Sequence, residues 1–454
     1  MNMRIENDAL GDVEVPADSY GGSFYTRAKK NFNISGLESP ASFRVAFAWI
    51  KMAAASVNSE LGHLDSKLAE AIISAGTEFV DGKFEYDLDV YQAGAGTPYN
   101  MHLNEILANR ASESLGGEKG KYDPVHPNNH VNMAQSSNDT NPTATRIAAL
   151  MDLKALFANG NELINSLAKK SVEYKDVVKV GRTHLQDAVP ITLGQEFEAY
   201  ASSIRGALAR LDAAQDELRM LGIGGTATGS GINTHPEFTE KMCAELSRLS
   251  GMDLRPADNK FETTHSMAAF LAVSSGLRGL ATELLRISND LRLLSSGPYG
   301  GLGEIELPEV EPGSSIMPGK VNPSVAECMS MISIQVIGLD HAIALCAQQG
   351  QLELNWHTPL IMLDLLHQIG ILTNGMDMFG KLCVDGVSIK EKNIQSNLER
   401  STAMATALAP YMGYHEVAEL VNEAIEKDVP FASLVPEEFK KYLVADKMTQ
   451  PNRN

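Results

Sequence analysis

A mainly α-helical fold built around a bundle of long helices is predicted by three long amphipathic runs in this sequence. Residues 192–221 contain no proline, and apolar side chains recur there at spacings of three, four and seven, the pattern of one helical face. Similar runs cover residues 264–296 and 324–352. Helices of this length need neighbours along much of their surface. We therefore predict a helical bundle, formed partly by other copies of the chain.

Changes in composition divide the chain into three predicted domains. Residues 1–135 mix short helical stretches with loops rich in glycine, proline and asparagine, and form a predicted N-terminal mixed domain. Residues 136–389 form the predicted central helical-bundle domain, and residues 390–454 a small C-terminal helical domain broken by prolines. We expect the first bundle helix to begin at Asn141-Pro142, because asparagine is a good N-cap and proline suits the first helical position.

The overall composition excludes several classes of protein. Hydrophobic residues make up 44% and charged residues 21%, which is typical of a folded globular chain. A formal net charge of −19 argues against a nucleic-acid partner. No apolar signal core and no uninterrupted run of about twenty apolar residues are present, so we expect a cytoplasmic protein without a membrane partner. The eleven histidines and four cysteines lack metal-binding spacings, so neither a metal nor another cofactor is expected.

The most informative segment is Gly313-Ser-Ser-Ile-Met-Pro-Gly-Lys-Val-Asn-Pro323, whose two glycines and two prolines predict an irregular loop. Lys320 can attract a carboxylate, and Asn322 can both donate and accept hydrogen bonds. Either Ser314 or Ser315 can reach a substrate proton if the loop closes. Composition alone also fits a plain connector between helices.

The order of residues in this loop resembles the signature loop of the aspartase/fumarase superfamily, whose members release fumarate by elimination across a carbon–carbon bond. Three further segments resemble the same family in the same order: Gly94-Ala-Gly-Thr-Pro-Tyr-Asn-Met101, Gln135-Ser-Ser-Asn-Asp-Thr-Asn-Pro-Thr143 and Gly181-Arg-Thr-His-Leu-Gln-Asp187. The resemblance covers essentially the whole chain. It implies a three-domain, mainly α-helical fold in which long helices form the core of a homotetramer, with each active site built from three subunits.

The resemblance also implies a small dicarboxylate substrate and a carbanion whose charge spreads onto a carboxylate. Stabilising developing charge is usually the largest catalytic contribution. Ser314 is the implied base, carried on a mobile loop, and His184 is implied to pair with Glu327. The implied substrate-binding residues are Thr97, Asn100, Ser136, Ser137, Asn138, Thr183, Ser315, Lys320 and Asn322. A second anion site is implied at His126, Asn128 and Asn129, the last standing where the family usually has aspartate.

The segments that resemble the family fall into two sets, which favour different leaving groups. Those resembling aspartate ammonia-lyases are Arg4-Ile-Glu6, Asn33-Ile-Ser-Gly36, Gln335-Val-Ile-Gly-Leu-Asp340 and Gly350-Gln-Leu-Glu-Leu-Asn355. Those resembling fumarate hydratases are His126-Pro-Asn128, Ser136-Ser137 and His184. Because the first set is broader, we predict a carbon–nitrogen lyase that releases ammonia from L-aspartate. The alternative is a carbon–oxygen lyase interconverting L-malate and fumarate. A non-catalytic homologue is argued against by the retention of Ser314, Lys320, Asn322, Thr183 and His184.

Overall fold

The computed structural model describes residues 2–451 and confirms a mainly α-helical fold, with 62% of the chain in helices. The α-helices of this range are α1 Ser23–Asn31, α2 Ala41–Glu60, α3 Ser66–Val80, α4 Thr97–Ser114, α5 Ser137–Glu173, α6 Leu193–Gln215, α7 Phe238–Ser250, α8 Lys260–His265, α9 Ala268–Leu294, α10 Ser324–Gln348, α11 Thr358–Leu382, α12 Glu391–Arg400, α13 Ala405–Met412, α14 Tyr414–Lys427, α15 Phe431–Leu434, α16 Glu437–Lys440 and α17 Ala445–Met448.

Short strands pair into four two-stranded sheets in the described part of the chain. The strands are β1 Met3–Asp8, β2 Gly11–Pro16, β3 Val178–Thr183, β4 Gln186–Thr192, β5 Met220–Leu221, β6 Arg255–Pro256, β7 Ile305–Glu306 and β8 Ser388–Ile389. Only β5 and β6 pair in parallel; the other three sheets are antiparallel. Strands β5 to β8 have two residues each, too few to alternate, so the sequence pattern cannot predict them.

The chain forms two compact units. Unit 1 contains the residues up to Leu156, Arg210–Arg278 and Val336–Gly370, and unit 2 contains Phe157–Ala209, Gly279–Gln335 and the residues from Ile371 onward. Side chains in the core of unit 1 include Phe43, Phe47, Ile50, Tyr99, Leu103 and Ile147. Those in the core of unit 2 include Leu163, Leu167, Phe197, Ile204, Leu284 and Phe379. This division rests on contacts, and the three sequence-defined domains stay a prediction.

Each of the three predicted long runs contains a long helix. The run over 192–221 contains α6, which ends at Gln215 and gives way to a 3₁₀ turn at Asp216–Arg219. The run over 264–296 is interrupted at Ser266, whose hydroxyl accepts a hydrogen bond from the Ala268 N–H at the start of α9. The run over 324–352 contains α10.

Helix α5 begins at Ser137, so the predicted start at Asn141-Pro142 is wrong. Ser136 is the N-cap: its hydroxyl accepts from the Asn138 N–H at 3.2 Å, and its own N–H donates to the Asp139 carboxylate at 2.9 Å. This reciprocal capping box starts the helix ahead of the proline. Pro142 lies inside the helix and has no N–H to offer the Asn138 carbonyl.

Helices α9 and α10 are unusually apolar. Over windows of 18 residues their mean hydropathy is 1.2 and 1.5, and 44% and 33% of those residues are buried within the chain. On α10, Met331 and Ile334 are 65% and 60% exposed. By length and composition alone these helices also fit a membrane span, a weak indication because core helices share these properties. The expected absence of a membrane partner stays a prediction.

Candidate active site

The start of helix α4 is set by a tight 3₁₀ turn over Gly94–Gly96. Ala95 and Gly96 both have positive φ values, 59° and 66°, which reverse the chain immediately before Thr97. The Ala95 N–H donates to the Trp356 carbonyl at 2.8 Å and anchors the turn. A side chain at Gly96 would place its Cβ 1.9 Å from Nδ2 of Asn141. The turn therefore requires glycine and presents Thr97 at a helix N-terminus.

The N-termini of α4 and α5 meet at their first residues. Oγ1 of Thr97 lies 3.0 Å from Oγ of Ser137, and Asn138 donates its side-chain amide to the Ala227 carbonyl at 2.8 Å. The first N–H groups of a helix lack helical acceptors and carry partial positive charge. Two such ends beside a pair of hydroxyls form a place suited to a carboxylate. We call Thr97, Ser136, Ser137 and Asn138 the helix-start cluster.

Asp139 holds the helix-start cluster from within. This buried carboxylate accepts from the Ser136 N–H at 2.9 Å, and from the N–H groups of Gly224 and Thr226 at 3.0 and 2.9 Å. Burial raises the pKa of Asp139 to about 6, although the three backbone N–H donors oppose that shift. The start of α5 is thereby fixed to the turn that follows β5.

Asn100 lies one helical turn beyond Thr97 and is buried, so it is placed behind the cluster. Its amide oxygen accepts from Nζ of Lys51 at 2.6 Å, and its Nδ2 donates to Oδ1 of Asn132 at 3.1 Å. Both polar ends of the amide are occupied by protein groups. A direct contact between Asn100 and substrate stays a prediction. Lys51, which the sequence pattern did not single out because it lies among apolar residues of α2, belongs to this arrangement.

In unit 2, Thr183 and His184 lie at the tip of the hairpin formed by β3 and β4. Thr183 pairs with Gln186 across a two-residue turn, and the turn residues His184 and Leu185 have φ values of 56° and 58°. Positive φ at both central positions is the geometry of a type I′ turn, which favours asparagine and glycine. Each such residue costs about 1–3 kcal/mol, and such strain is concentrated at functional sites. The turn presents an exposed His184.

Buried ion pairs hold that hairpin. The Glu304 carboxylate, with no exposed surface, lies 2.7 Å from the Arg182 guanidinium and 3.2 Å from Nζ of Lys179. Lys179 also contacts Glu196 at 2.8 Å. Burial opposes ionisation of Glu304, but the Arg182 hydrogen bond and the Lys179 charge outweigh it and lower the pKa of the carboxyl. These ion pairs therefore fix the strand that leads into the strained turn.

The signature loop, residues 313–323, is irregular, as predicted, and mostly exposed. Ser314 is half-buried, and its hydroxyl accepts a long hydrogen bond of 3.4 Å from the Ile316 N–H. The loop closes where Gly313 approaches the Lys320 carbonyl, because a Cβ at Gly313 would lie 1.7 Å from that oxygen. Ser315, Lys320 and Asn322 are exposed and available to a ligand.

The predicted pair of His184 and Glu327 is not joined by a hydrogen bond or ion pair within residues 2–451. Glu327 is exposed in the first turn of α10. Its N–H donates to the Pro323 carbonyl at 3.0 Å, which ties the start of α10 to the end of the signature loop. The pairing stays a prediction.

The predicted second anion site lies on a π-helical turn over Pro127–Val131. Nδ1 of His126 accepts from the N–H groups of Asn128 and Asn129 at 3.1 and 3.2 Å. The two backbone donors are therefore occupied by a ring nitrogen that carries no proton. The exposed side-chain amides of Asn128 and Asn129 and the Nε2–H of His126 remain as donors for an anion, and this site stays a prediction.

Comparison with known proteins identifies the family to which this chain belongs. Residues 11–338 match the lyase family model, and the chain belongs to that family within the aspartase/fumarase superfamily. It is 45% identical to the class II fumarate hydratase of Nitrosomonas europaea, over 98% of this chain and 99% of that protein. The crystal structure of class II fumarase from Schistosoma mansoni superposes with a TM-score of 0.93 at 37% identity, covering 99% of this chain and 98% of that one. A fumarate lyase:delta crystallin from Brucella melitensis gives 0.95 at 40% identity, covering 98% and 99%.

The predicted release of ammonia by a carbon–nitrogen lyase is wrong. The Nitrosomonas relative and one from Campylobacter jejuni, 42% identical over 99% of this chain, are both named class II fumarate hydratases. Segments that favoured ammonia have structural contacts instead. Arg4 pairs with Glu6 at 2.8 Å beneath the N-terminal hairpin, and Asp340 accepts from Ser274 at 2.7 Å and pairs with Arg278 at 3.0 Å.

Proposed function

We propose that this chain is a class II fumarate hydratase, a carbon–oxygen lyase that interconverts L-malate and fumarate. The observation that carries the proposal is the meeting of two helix N-termini at Thr97 and Ser137, a site suited to a substrate carboxylate. The full-length relatives named as fumarate hydratases support the same reaction.

The proposed reaction removes a proton from the carbon beside the second carboxylate and leaves a carbanion whose charge spreads onto that carboxylate. Lys320 and Asn322 supply a positive charge and hydrogen-bond donors for this species, with Ser315 and Thr183 as further donors. The Ser314 side chain, as its alkoxide, takes the proton and becomes a hydroxyl. It acts as a base only if its alkoxide is stabilised, and the Ile316 N–H is the donor that already points at it.

Hydroxide, unlike an ammonium group, needs a proton before it departs. We assign that role to a water held by His184, with Glu327 orienting the imidazole. As the C–O bond breaks, this water gives a proton to the departing hydroxyl and takes one from the protonated His184 imidazole, so the hydroxyl leaves as water. The exposed position of His184 at a strained turn supports a role in contact with the ligand.

We also propose a homotetramer in which three copies build each active site. The support is the apolar surface of α10, whose Met331, Ile334 and Leu345 are 65%, 60% and 46% exposed in a single chain. Exposed apolar residues on one long helix are typical of an interface between subunits. Native mass spectrometry tests this assembly, and a stable monomer as the active species would contradict it.

Fumarate formation from L-malate by the purified protein tests the proposed reaction. With L-malate as substrate, we expect the absorbance of fumarate to rise. With fumarate as substrate, we expect that absorbance to fall as fumarate is hydrated. L-aspartate at the same concentration is the control, and we expect no fumarate from it. Activity on aspartate with none on malate would contradict the proposal.

A further inference from the structure

Lys51 is a buried cation that none of the proposed chemistry uses. Its side chain lies on α2 with no exposed surface. Among residues 2–451 no carboxylate lies within ion-pair distance of its Nζ. Burying a charge without an opposite charge is costly unless hydrogen bonds and nearby charges compensate. We therefore looked for a role that requires a buried positive charge at this position.

Three side-chain amides surround the ammonium group. Nζ donates to Oδ1 of Asn100 at 2.6 Å, to Oε1 of Gln135 at 2.9 Å and to Oδ1 of Asn132 at 3.0 Å. Because every acceptor is an amide oxygen, the lysine fixes which way each amide points. All three partners are neutral, so the positive charge is solvated by dipoles and not cancelled.

The position of these partners links Lys51 to the helix-start cluster. Asn100 follows Thr97 by one turn of α4, and Gln135 immediately precedes Ser136. The lysine therefore joins α2 to both segments that carry the cluster. Burial lowers the pKa of Lys51 to about 7, and the negative charge of Asp139 opposes that shift. Asp139 accepts a hydrogen bond from the N–H of Ser136, the residue after Gln135, so it is joined to the same segment.

We propose that Lys51 is a positioning residue for dicarboxylate binding: it orients Asn100 and Gln135 behind the helix-start cluster and supplies positive potential there. This inference rests on the proposed function, because the bound group must be an anion. A chain with a net charge of −19 repels a dianion at long range, so local positive charge at the site has a large effect on affinity.

The test compares two buried-lysine variants in the full chain. Lys51→Met keeps the apolar stem and removes the charge and the three hydrogen bonds. Lys170→Met is the matched control, because Lys170 is 5% exposed and donates to Glu173 and the Val387 carbonyl, far along the sequence from the cluster. Calorimetry with succinate, a dicarboxylate that cannot eliminate, gives the dissociation constant. Steady-state rates give KM and kcat for L-malate.

We expect Lys51→Met to raise the succinate dissociation constant and the malate KM at least about 30-fold, with a smaller change in kcat, since uniform binding is lost. Lys170→Met is expected to change neither binding value more than about twofold. A purely structural lysine predicts the opposite for Lys51→Met: a lower melting temperature with unchanged affinity. That result, in a folded protein, would overturn the inference.

A second variant decides the question if Lys51→Met does not fold. Asn132→Asp keeps the lysine and places a carboxylate against Nζ, so it neutralises the charge. It keeps both hydrogen bonds that Oδ1 accepts, and it loses the long bond of 3.4 Å from Nδ2 to the Gln135 carbonyl. We expect succinate affinity to fall at least about fivefold, because the positive potential is cancelled. Affinity equal to that of the wild type would refute the role of the charge.

Failure of this inference is distinguishable from failure of the proposed function. A wild-type protein that hydrates fumarate, with succinate affinity unaffected by either variant, leaves the function standing and removes Lys51 from it. A wild-type protein that binds succinate but does not act on malate removes the function, while the variants still decide the role of Lys51. Absence of both binding and activity overturns both.

Discussion

The helix-start cluster and the signature loop differ in how completely one copy of the chain fixes their geometry. The cluster is half-buried, and its groups are held by Asp139 and by hydrogen bonds of about 3 Å. The loop over residues 313–323 is exposed, and Ile316 on it is 82% exposed. Under the proposed function, we expect binding of one carboxylate to be preorganised, and we expect Ser314 and the Lys320 side chain to gain their final positions on loop closure or assembly.

The largest effect is expected from Ser314→Ala. Removing the proposed base should lower kcat by about 1,000-fold, within the range for a lost general base. The melting temperature should not change, because Ser314 makes only the long bond to the Ile316 N–H. Steady-state kinetics with L-malate and a thermal melt measure both. Near-normal turnover in an intact assembly would show that another group is the base.

Gly313→Ala breaks the closure of the loop without touching a reactive group. The new Cβ would lie 1.7 Å from the Lys320 carbonyl oxygen, so the backbone must shift and carry Lys320 with it. We expect kcat to fall by about 100-fold, since small misplacements of reacting groups have effects of this size. Gly300→Ala is the control, because nothing lies within 4 Å of its Cβ position. Equal activity of the two variants would contradict a fixed loop geometry.

Asp139→Asn tests the preorganised region. An amide replaces one of two oxygens that together accept three backbone N–H groups, so at least one buried donor loses its partner. We expect a loss of stability of about 1–3 kcal/mol and a malate KM raised about tenfold. Asp152→Asn on the same helix is the control. Within residues 2–451 the Asp152 carboxylate accepts a hydrogen bond from the Ser42 hydroxyl alone, so an amide oxygen can still accept it. Thermal melts and kinetics in which the two variants match would remove Asp139 from the site.

The smallest effect concerns the strained hairpin turn. Leu185→Gly relieves a positive φ of 58° and should stabilise the fold by about 0.5 kcal/mol, since glycine adopts this conformation without steric cost. Leu185→Ala keeps the strain and should not stabilise. Denaturant unfolding compares the two. A glycine variant less stable than the alanine variant would mean that the turn is not strained.

The helical fold was predictable because α6 and α10 carry a continuous apolar period. The start of α5 was not, because Asn141-Pro142 imitates a helix start and the true cap depends on the reciprocal bonds of Ser136 and Asp139. The candidate site residues were predicted from the order of residues in four segments, and of these the structure brings Thr97 and Ser137 together. The leaving group was predicted wrongly, because it was inferred from segments such as those of Arg4 and Asp340, which form ion pairs with Glu6 and Arg278 in this structure. Lys51 was hidden because a lysine in a helix usually faces water.

The most direct test of the central claim, that the cluster and the loop are complementary parts of one shared fumarate-hydratase site, is a mixing experiment. Thr97→Val and Ser314→Ala proteins, each inactive alone, are dissociated, mixed in equal amounts and reassembled. If the two residues come from different copies, each position of a site is filled by a wild-type residue in about half of the random hybrids. About a quarter of the sites then contain both wild-type residues, and malate activity should recover to about a quarter of the wild-type value. No recovery in hybrids confirmed by native mass spectrometry would contradict a site shared in this way.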